Sequence, residues 1–242
     1  MTDNTKSTGG MMKAVFIDID NTLLDFDEYV RNTMETGFRH FGLKPYEPYM
    51  YDVFIKENGR LWRRIEQGEL TFQELEKVRW NIIFNELGIE FDGPVFEKYF
   101  RAALNDSAIP VAGSYEMLEA LREKGCLICA ASNGPYEQQL HRLEIADMLR
   151  YFDHVFISEK IGASKPSGDF FEHAFSVINS SREESILPHE TVMIGDSLTS
   201  DIAGGRQYGM QTCWYMRDKG QEIPAEVSLA VDDLRDVAGR IF

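Results

Sequence analysis

Two aspartates, Asp18 and Asp20, follow directly on the apolar run Ala14-Val15-Phe16-Ile17, and Thr22 stands two positions further on. A carboxylate pair at the end of a buried strand can bind a divalent cation, attack an electrophile or pass protons. Other apolar runs end in the same way. Ser132-Asn133-Gly134-Pro135 follows the run 126–131 and joins a hydroxyl and free backbone N–H groups to a helix start with Pro135 in its first turn, an arrangement that cradles anions. Lys165 lies in the loop 158–166 that follows the run 154–157, and Gly195-Asp196-Ser197-Leu198-Thr199-Ser200-Asp201, after 191–194, brings two more carboxylates. Each piece alone reads equally well as a solvated turn, a helix cap or a surface lysine. Their recurrence at four successive strand ends points to one shared site, because open parallel sheets bind ligands beyond the carboxyl ends of their strands.

The elements that must position these groups are short apolar runs, with a fifth, weaker one around 211–215, separated by segments of helical pattern such as Tyr115 to Leu121, where Met117, Leu118 and Leu121 share a face. Strand and helix alternation predicts an α/β fold, a parallel sheet covered on both faces. One interval is anomalous. Strands of βαβ units recur about every 30 residues, yet the first run ends at 17 and the next begins at 126. Residues 28 to 105 carry helical periodicity in four blocks: Val30 to Phe41, Val53 to Ile65, Phe72 to Ile83 and Phe96 to Leu104. Glycines 42, 68, 88 and 93 and prolines 45, 48 and 94 punctuate them. A four-helix-type module is therefore expected within 27–109, inserted into a core made of 12–26 and 110–242. Residues 1–11 are small and polar and are expected to be a disordered leader.

Composition narrows the function. The 242 residues, 43% of them hydrophobic, suffice for a real core. A net charge of −15 argues against a nucleic-acid polymer or anionic membrane as partner, so a phosphate must be gripped locally. No run is long enough to span a bilayer and no signal pattern opens the chain, which makes a cytoplasmic location the expectation. Three cysteines, Cys126, Cys129 and Cys213, do not make a disulfide framework, and the C-x-x-C at 126–129 lies inside an apolar run, where buried strand cysteines are expected.

With the motifs in hand, the chain resembles the haloacid dehalogenase superfamily over residues 13 to 242. Asp18-x-Asp20-x-Thr22, Ser132, Lys165 and Gly195-Asp196-Ser197-x-x-x-Asp201 are similar to its four motifs in order, and the insertion stands where that superfamily carries a helical cap. The resemblance implies a Rossmann-like core and Mg2+ as cofactor, with Asp18, the Asp20 backbone carbonyl and Asp196 as metal ligands and Asp201 orienting the cluster or reaching the ion through water. It implies Asp18 as nucleophile, Asp20 as general acid and base, and Thr22, Ser132, Asn133 and Lys165 around the phosphate. A carboxylate is ionised at neutral pH and needs no base to attack phosphorus. Dehalogenases of the superfamily lack the second aspartate, so Asp20 favours a phosphatase or phosphomutase.

Substrate selection is expected to lie with the cap. Asn58-Gly59-Arg60-Leu61-Trp62 and Gln67-Gly68-Glu69-Leu70-Thr71 resemble the corresponding stretch of bacterial house-cleaning pyrimidine 5′-nucleotidases, and Arg60 and Trp62 are the cap residues from which a substrate contact is expected. The expected ligand is a small phosphorylated metabolite, with a nucleoside 5′-monophosphate as first choice, and the expected assembly a monomer or homodimer. Sugar-phosphate hydrolysis or mutase chemistry is the enzymatic alternative. A phosphoacceptor signalling domain uses similar residues, but it has no lid and no acid corresponding to Asp20.

Overall fold

The computed structural model describes residues 12–217 and 220–242. The expected leader at 1–11 lies outside the described residues. Six strands, β1 (Ala14–Ile17), β2 (Leu127–Ser132), β3 (His154–Ile157), β4 (Thr191–Gly195), β5 (Gln211–Tyr215) and β6 (Ala230–Val231), form one parallel sheet in the order β3-β2-β1-β4-β5-β6. The helices are α1 (Phe26–His40), α2 (Pro48–Glu66), α3 (Phe72–Leu87), α4 (Gly93–Asn105), α5 (Ser114–Lys124), α6 (Tyr136–Ile145), α7 (Ser158–Ile161), α8 (Gly168–Asn179), α9 (Ala203–Gln207) and α10 (Val237–Ile241). No helix among the described residues is long and apolar enough to cross a membrane.

Alternation along the strands divides the core in two. Val15, Ile17, Ile128, Ala130, Val192 and Ile194 face α5 through Met117, Leu118 and Leu121. Ala14, Phe16, Cys129, Ala131 and Met193 face α8 through Phe170, Phe171, Ala174 and Phe175. Phe16 stacks between Phe156 and Phe175, with ring centroids 6.0 and 5.6 Å away. The three cysteines are buried and unpaired, as an apolar strand environment requires.

Register fixes where the polar strand ends meet. Ile17 is opposite both Ala130 and Ile194, so Asp18 emerges level with the end of β2 and with Gly195. Because the chain runs outward from β1 in both directions, the crevice beyond β1 is the switch point of the sheet, the place where such folds bind ligands. Two features differ from the sequence expectation. Pro135 is the residue before α6, with ψ 140°, rather than inside its first turn, and β6 is a two-residue strand too short to show periodicity.

The segment between β1 and α5 leaves and returns side by side. Asp25 N donates to Ile109 O at 2.7 Å, Val111 N donates to Leu23 O at 2.9 Å, and Leu24 and Pro110 form an antiparallel bridge. Between these two paired segments, α1 to α4 pack on an aromatic core of their own, with Phe54, Trp80, Phe84, Phe96 and Phe100 at its centre. Their ends are chemically marked. Asp25 caps α1, Thr71 and Glu74 close a capping box on α3, and Gly88 ends α3 at φ 62°, where a side chain would be strained. Inside this layer the buried Arg79 guanidinium pairs with Glu97 and donates to Asn58 Oδ1 at 3.1 Å, so its charge is matched without water.

Candidate active site

The loop after β1 is shaped by its own backbone. Asn21 adopts φ 62°, a conformation that asparagine tolerates better than most residues, and its side-chain amide bonds Asp27 at both ends. Leu23 N and Leu24 N both donate to Ile19 O at 2.9 Å, which turns the chain tightly past Asp18 and Asp20. Asp18 is 8% exposed, and its own N–H extends the sheet by donating to Ile194 O.

Lys165 is the centre of the site. Its Nζ donates to Asp18 Oδ1 at 2.7 Å, to Asp201 Oδ1 at 2.6 Å and to Ala131 O at 2.6 Å, which uses all three ammonium protons in a fully buried position. Burial alone would pull its pKa down, but Asp18 and Asp201 outweigh that cost and hold it above the ordinary lysine value. Asp18 moves the other way. Burial pushes its carboxyl well above the usual range, Lys165 opposes the rise, and Asp201 and Asp196 add to it. Asp196 is pushed up to about 7, chiefly by burial, against the pull of Arg217, whose Nε lies 3.1 Å from Asp196 Oδ2.

Asp201 is held by a single turn of π-helix over Leu198–Ile202, in which Ile202 N reaches back to Ser197 O. Ser197 N donates to Asp201 Oδ2 at 3.0 Å, so each carboxylate oxygen has a donor. Asp18, Asp196 and Asp201 each offer an oxygen, and these atoms lie within 4.8 Å of one another. An all-carboxylate set of this size suits a hard divalent cation such as Mg2+. Asp201 is at the same time committed to Lys165 and Ser197.

The other three expected phosphate ligands, like Lys165, have partners within the protein. Thr22 Oγ1 lies 3.4 Å from Asp18 Oδ2 and orients that carboxylate. Ser132 is buried at the end of β2, and its Oγ accepts from Gly134 N at 3.1 Å and from Gln139 Nε2 at 2.8 Å. The Asn133 side chain brackets the backbone of Lys165, accepting from Lys165 N and donating to Lys165 O, each at 2.8 Å. It therefore positions the lysine loop, and only its backbone remains to meet a phosphate.

Arg60 and Trp62, the residues from which a substrate contact is expected, both have neighbours on the inserted helices. Arg60 is bound to both oxygens of Glu57, at 2.8 and 3.0 Å, and Trp62 packs on Phe72 with centroids 5.8 Å apart. Ile65 and Phe72 line, with Asn133, Gly134 and Pro135, a cavity of about 250 Å³ beside the loop that follows β2. Glu66, at the end of α2, lies near Thr199, and burial raises its carboxyl. Position along the helix rather than its face makes the difference, since Ile65 and Glu66 lie one turn further along α2 than Leu61 and Trp62.

Two site residues escaped the sequence reading altogether. Arg142 Nη1 donates to Asp20 Oδ1 at 2.5 Å, and Gln139 Nε2 donates to Asp20 Oδ2 at 2.6 Å. No sequence signal marked them: they lie on the inward face of α6, where Gln138, Gln139 and Arg142 are buried beside Leu143. Arg217, which joins Asp196 to Asp27, was missed as well.

The same arrangement of strand ends is found in known proteins. Residues 12–209 match the family model described as haloacid dehalogenase-like hydrolase. Pyrimidine 5′-nucleotidase PynA of Streptococcus pneumoniae is 32% identical over 228 residues, 93% of this chain and 94% of that protein. Pyrimidine 5′-nucleotidase YjjG of Escherichia coli is 29% identical, covering 83% of this chain and 84% of its own length. The crystal structure of the HAD-hydrolase YfnB from Bacillus subtilis, bound to magnesium, superposes with a TM-score of 0.84 at 26% identity, covering 96% of this chain and 99% of that one. The matched span contains Asp18, Ser132, Lys165 and Asp196, and the chain belongs to the haloacid dehalogenase-like hydrolases.

Proposed function

We propose that this hydrolase is a magnesium-dependent phosphatase that cleaves a small phosphate monoester, a pyrimidine nucleoside 5′-monophosphate first among them, through an aspartyl phosphate on Asp18. The observation that carries this reading is the division of labour between two neighbouring aspartates. Asp18 is buried against Lys165, where an attacking oxygen is needed, whereas the side chain of Asp20 is 33% exposed and lies on a separate set of donors.

Asp18 attacks phosphorus, the ester P–O bond breaks, and protonated Asp20 gives its proton to the departing alkoxide. Water then attacks the phosphorus of the acyl phosphate while Asp20, now a carboxylate, takes its proton. The P–O bond to Asp18 breaks, inorganic phosphate leaves, and Asp18 is restored. Lys165 holds Asp18 in place and supplies positive charge where the phosphoryl oxygens gather it, and the Ser132 hydroxyl donates to one of them. A magnesium ion on Asp18, Asp196 and the Asp20 carbonyl would neutralise phosphate charge, in keeping with the magnesium-bound structure of YfnB. The choice of a pyrimidine nucleotide draws on the names of PynA and YjjG and on the flat apolar wall of Ile65 and Phe72 beside Asn133.

Purified protein with magnesium should release inorganic phosphate from uridine 5′-monophosphate faster than from glyceraldehyde 3-phosphate or p-nitrophenyl phosphate. Asp18→Asn should abolish release from all three. Retained turnover in that variant would remove Asp18 as nucleophile, and a preference for glyceraldehyde 3-phosphate would replace the nucleotide by a sugar phosphate.

A further inference from the structure

We propose that Gln139 and Arg142 are positioning residues that hold Asp20 in place as the base of the second half-reaction and orient the Ser132 hydroxyl toward phosphate. The inference rests on the acid and base role given to Asp20 above.

The hydrogen bonds leave no freedom in the Gln139 amide. Its Oε1 accepts from Arg142 Nη1 at 2.9 Å, and its Nε2 donates to Asp20 Oδ2 at 2.6 Å and to Ser132 Oγ at 2.8 Å. Reversing the amide would set an oxygen against the Asp20 carboxylate and an NH2 against a guanidinium, so Asp20 and Arg142 together dictate its orientation. Ser132 Oγ must then accept from Gln139. It also accepts from Gly134 N, which occupies both lone pairs and leaves its proton as the remaining group to donate outward. The backbone makes room for this arrangement, since a Cβ on Gly134 would lie 2.5 Å from Gln139 Nε2.

Arg142 ties the same group to the hinge of the helical insertion. Its side chain is 1% exposed, and besides Asp20 and Gln139 it donates from Nε to Ser107 O at 3.0 Å, just beyond α4 where the chain returns toward the core. A buried guanidinium with three acceptors on two sides is a rigid spacer. It fixes the distance from the returning hinge to Asp20, with both Asp20 oxygens receiving donors, the form required of a base awaiting a water proton.

The test uses p-nitrophenyl phosphate, whose leaving group departs without an acid, so that hydrolysis of the phosphoenzyme is isolated as the step needing Asp20. Arg142→Met should lower kcat about 100-fold while kcat/KM stays within about 3-fold, and a burst of p-nitrophenol close to one equivalent of enzyme should precede the slow steady state. Arg142→Lys, which keeps the charge but cannot span all three acceptors, should recover part of kcat. Gln139→Leu retains the guanidinium and should lower kcat/KM as well, about 10-fold, because Ser132 loses its fixed orientation. Equal losses in kcat and kcat/KM without a burst in both Arg142→Met and Arg142→Lys would show a merely structural role and overturn the proposal. Asp20→Asn separates the two levels of argument. If it shows the burst while the Arg142 and Gln139 variants behave as wild type, the positioning inference fails alone; if Asp20→Asn turns over normally, the assignment of Asp20 fails and the inference with it.

Discussion

Gly195 is the last residue of β4, and its conformation does not explain it, because its φ is not positive. What excludes a side chain there is Asp201. A Cβ on residue 195 would stand 2.2 Å from Asp201 Oδ2, 2.4 Å from its Cγ and 2.7 Å from its Cβ. Asp201 cannot swing aside freely, because it is 1% exposed, Lys165 Nζ holds Oδ1 at 2.6 Å and Ser197 N holds Oδ2 at 3.0 Å. Gly195→Ala must therefore move the carboxylate by about 1 Å and loosen its hold on Lys165. Overpacking of this kind costs roughly 2 kcal/mol, which for a chain of this length lowers Tm by about 4–8 °C. A misplacement of about 1 Å in a catalytic array lowers kcat on the order of 100-fold. The control is Gly168→Ala at the start of α8, where a Cβ meets nothing within 4 Å and a helical alanine should be neutral or stabilise by up to about 1 kcal/mol. Differential scanning calorimetry and phosphate release on the two variants read both quantities. Equal Tm and equal kcat in Gly195→Ala and Gly168→Ala would refute the claim that the motif glycine exists to let Asp201 reach Lys165.

Lys165→Met leaves Asp18 and Asp201 buried without their shared cation, so magnesium-free protein should lose about 3–5 kcal/mol by urea unfolding near neutral pH. The loss should shrink in acid, where protonated carboxyls need no cation, and an unchanged midpoint would contradict the central place given to Lys165. Arg60→Ala should leave KM within about 2-fold because Arg60 is occupied by Glu57, while Phe72→Ala should raise KM for uridine 5′-monophosphate by about 10-fold through loss of the apolar wall of the cavity beside Asn133. The opposite ranking would return substrate contact to Arg60.

What could be read from the sequence was what local chemistry announces. Apolar runs of four to six residues marked five strands, the polar residues beside their ends were Asp18, Ser132 and Asp196, and Lys165 stood in the segment after β3. The helical insertion announced itself as an interval too long for one crossover. The partners of those polar residues were hidden, because Gln139 and Arg142 lie 119 and 122 positions from Asp20 and nothing local distinguishes them from solvated helix residues. Asn133 was placed beside the phosphate by its neighbours in sequence, yet its amide holds the Lys165 loop 32 positions away. Arg60 and Trp62 were singled out by residue type, but only the docking of α2 decides which turn meets the core, and that turn carries Ile65 and Glu66.

The carboxylate cluster also dictates how metal binding depends on pH. Burial raises Asp196 to about 7, against about 3.9 in an unfolded chain, and Asp18 moves the same way. A carboxyl whose pKa is raised by folding contributes stability that is full below the unfolded value and is lost as pH rises through the folded one. The metal-free protein should thus lose stability between about pH 4 and pH 8, by up to about 4 kcal/mol from Asp196 alone. A divalent cation needs the ionised carboxylate, so it competes with that proton. With magnesium at about 100 times its Kd near pH 8, the gain is about 2.7 kcal/mol, a rise in Tm of roughly 5–11 °C. Near pH 5 the apparent Kd is weakened about 100-fold by protonation of Asp196, and the same concentration yields only about 0.4 kcal/mol. Thermal unfolding with and without magnesium across this range measures the difference without any substrate. A shift independent of pH, or one that survives intact in Asp196→Asn, would mean that magnesium stabilises the protein somewhere other than at this cluster.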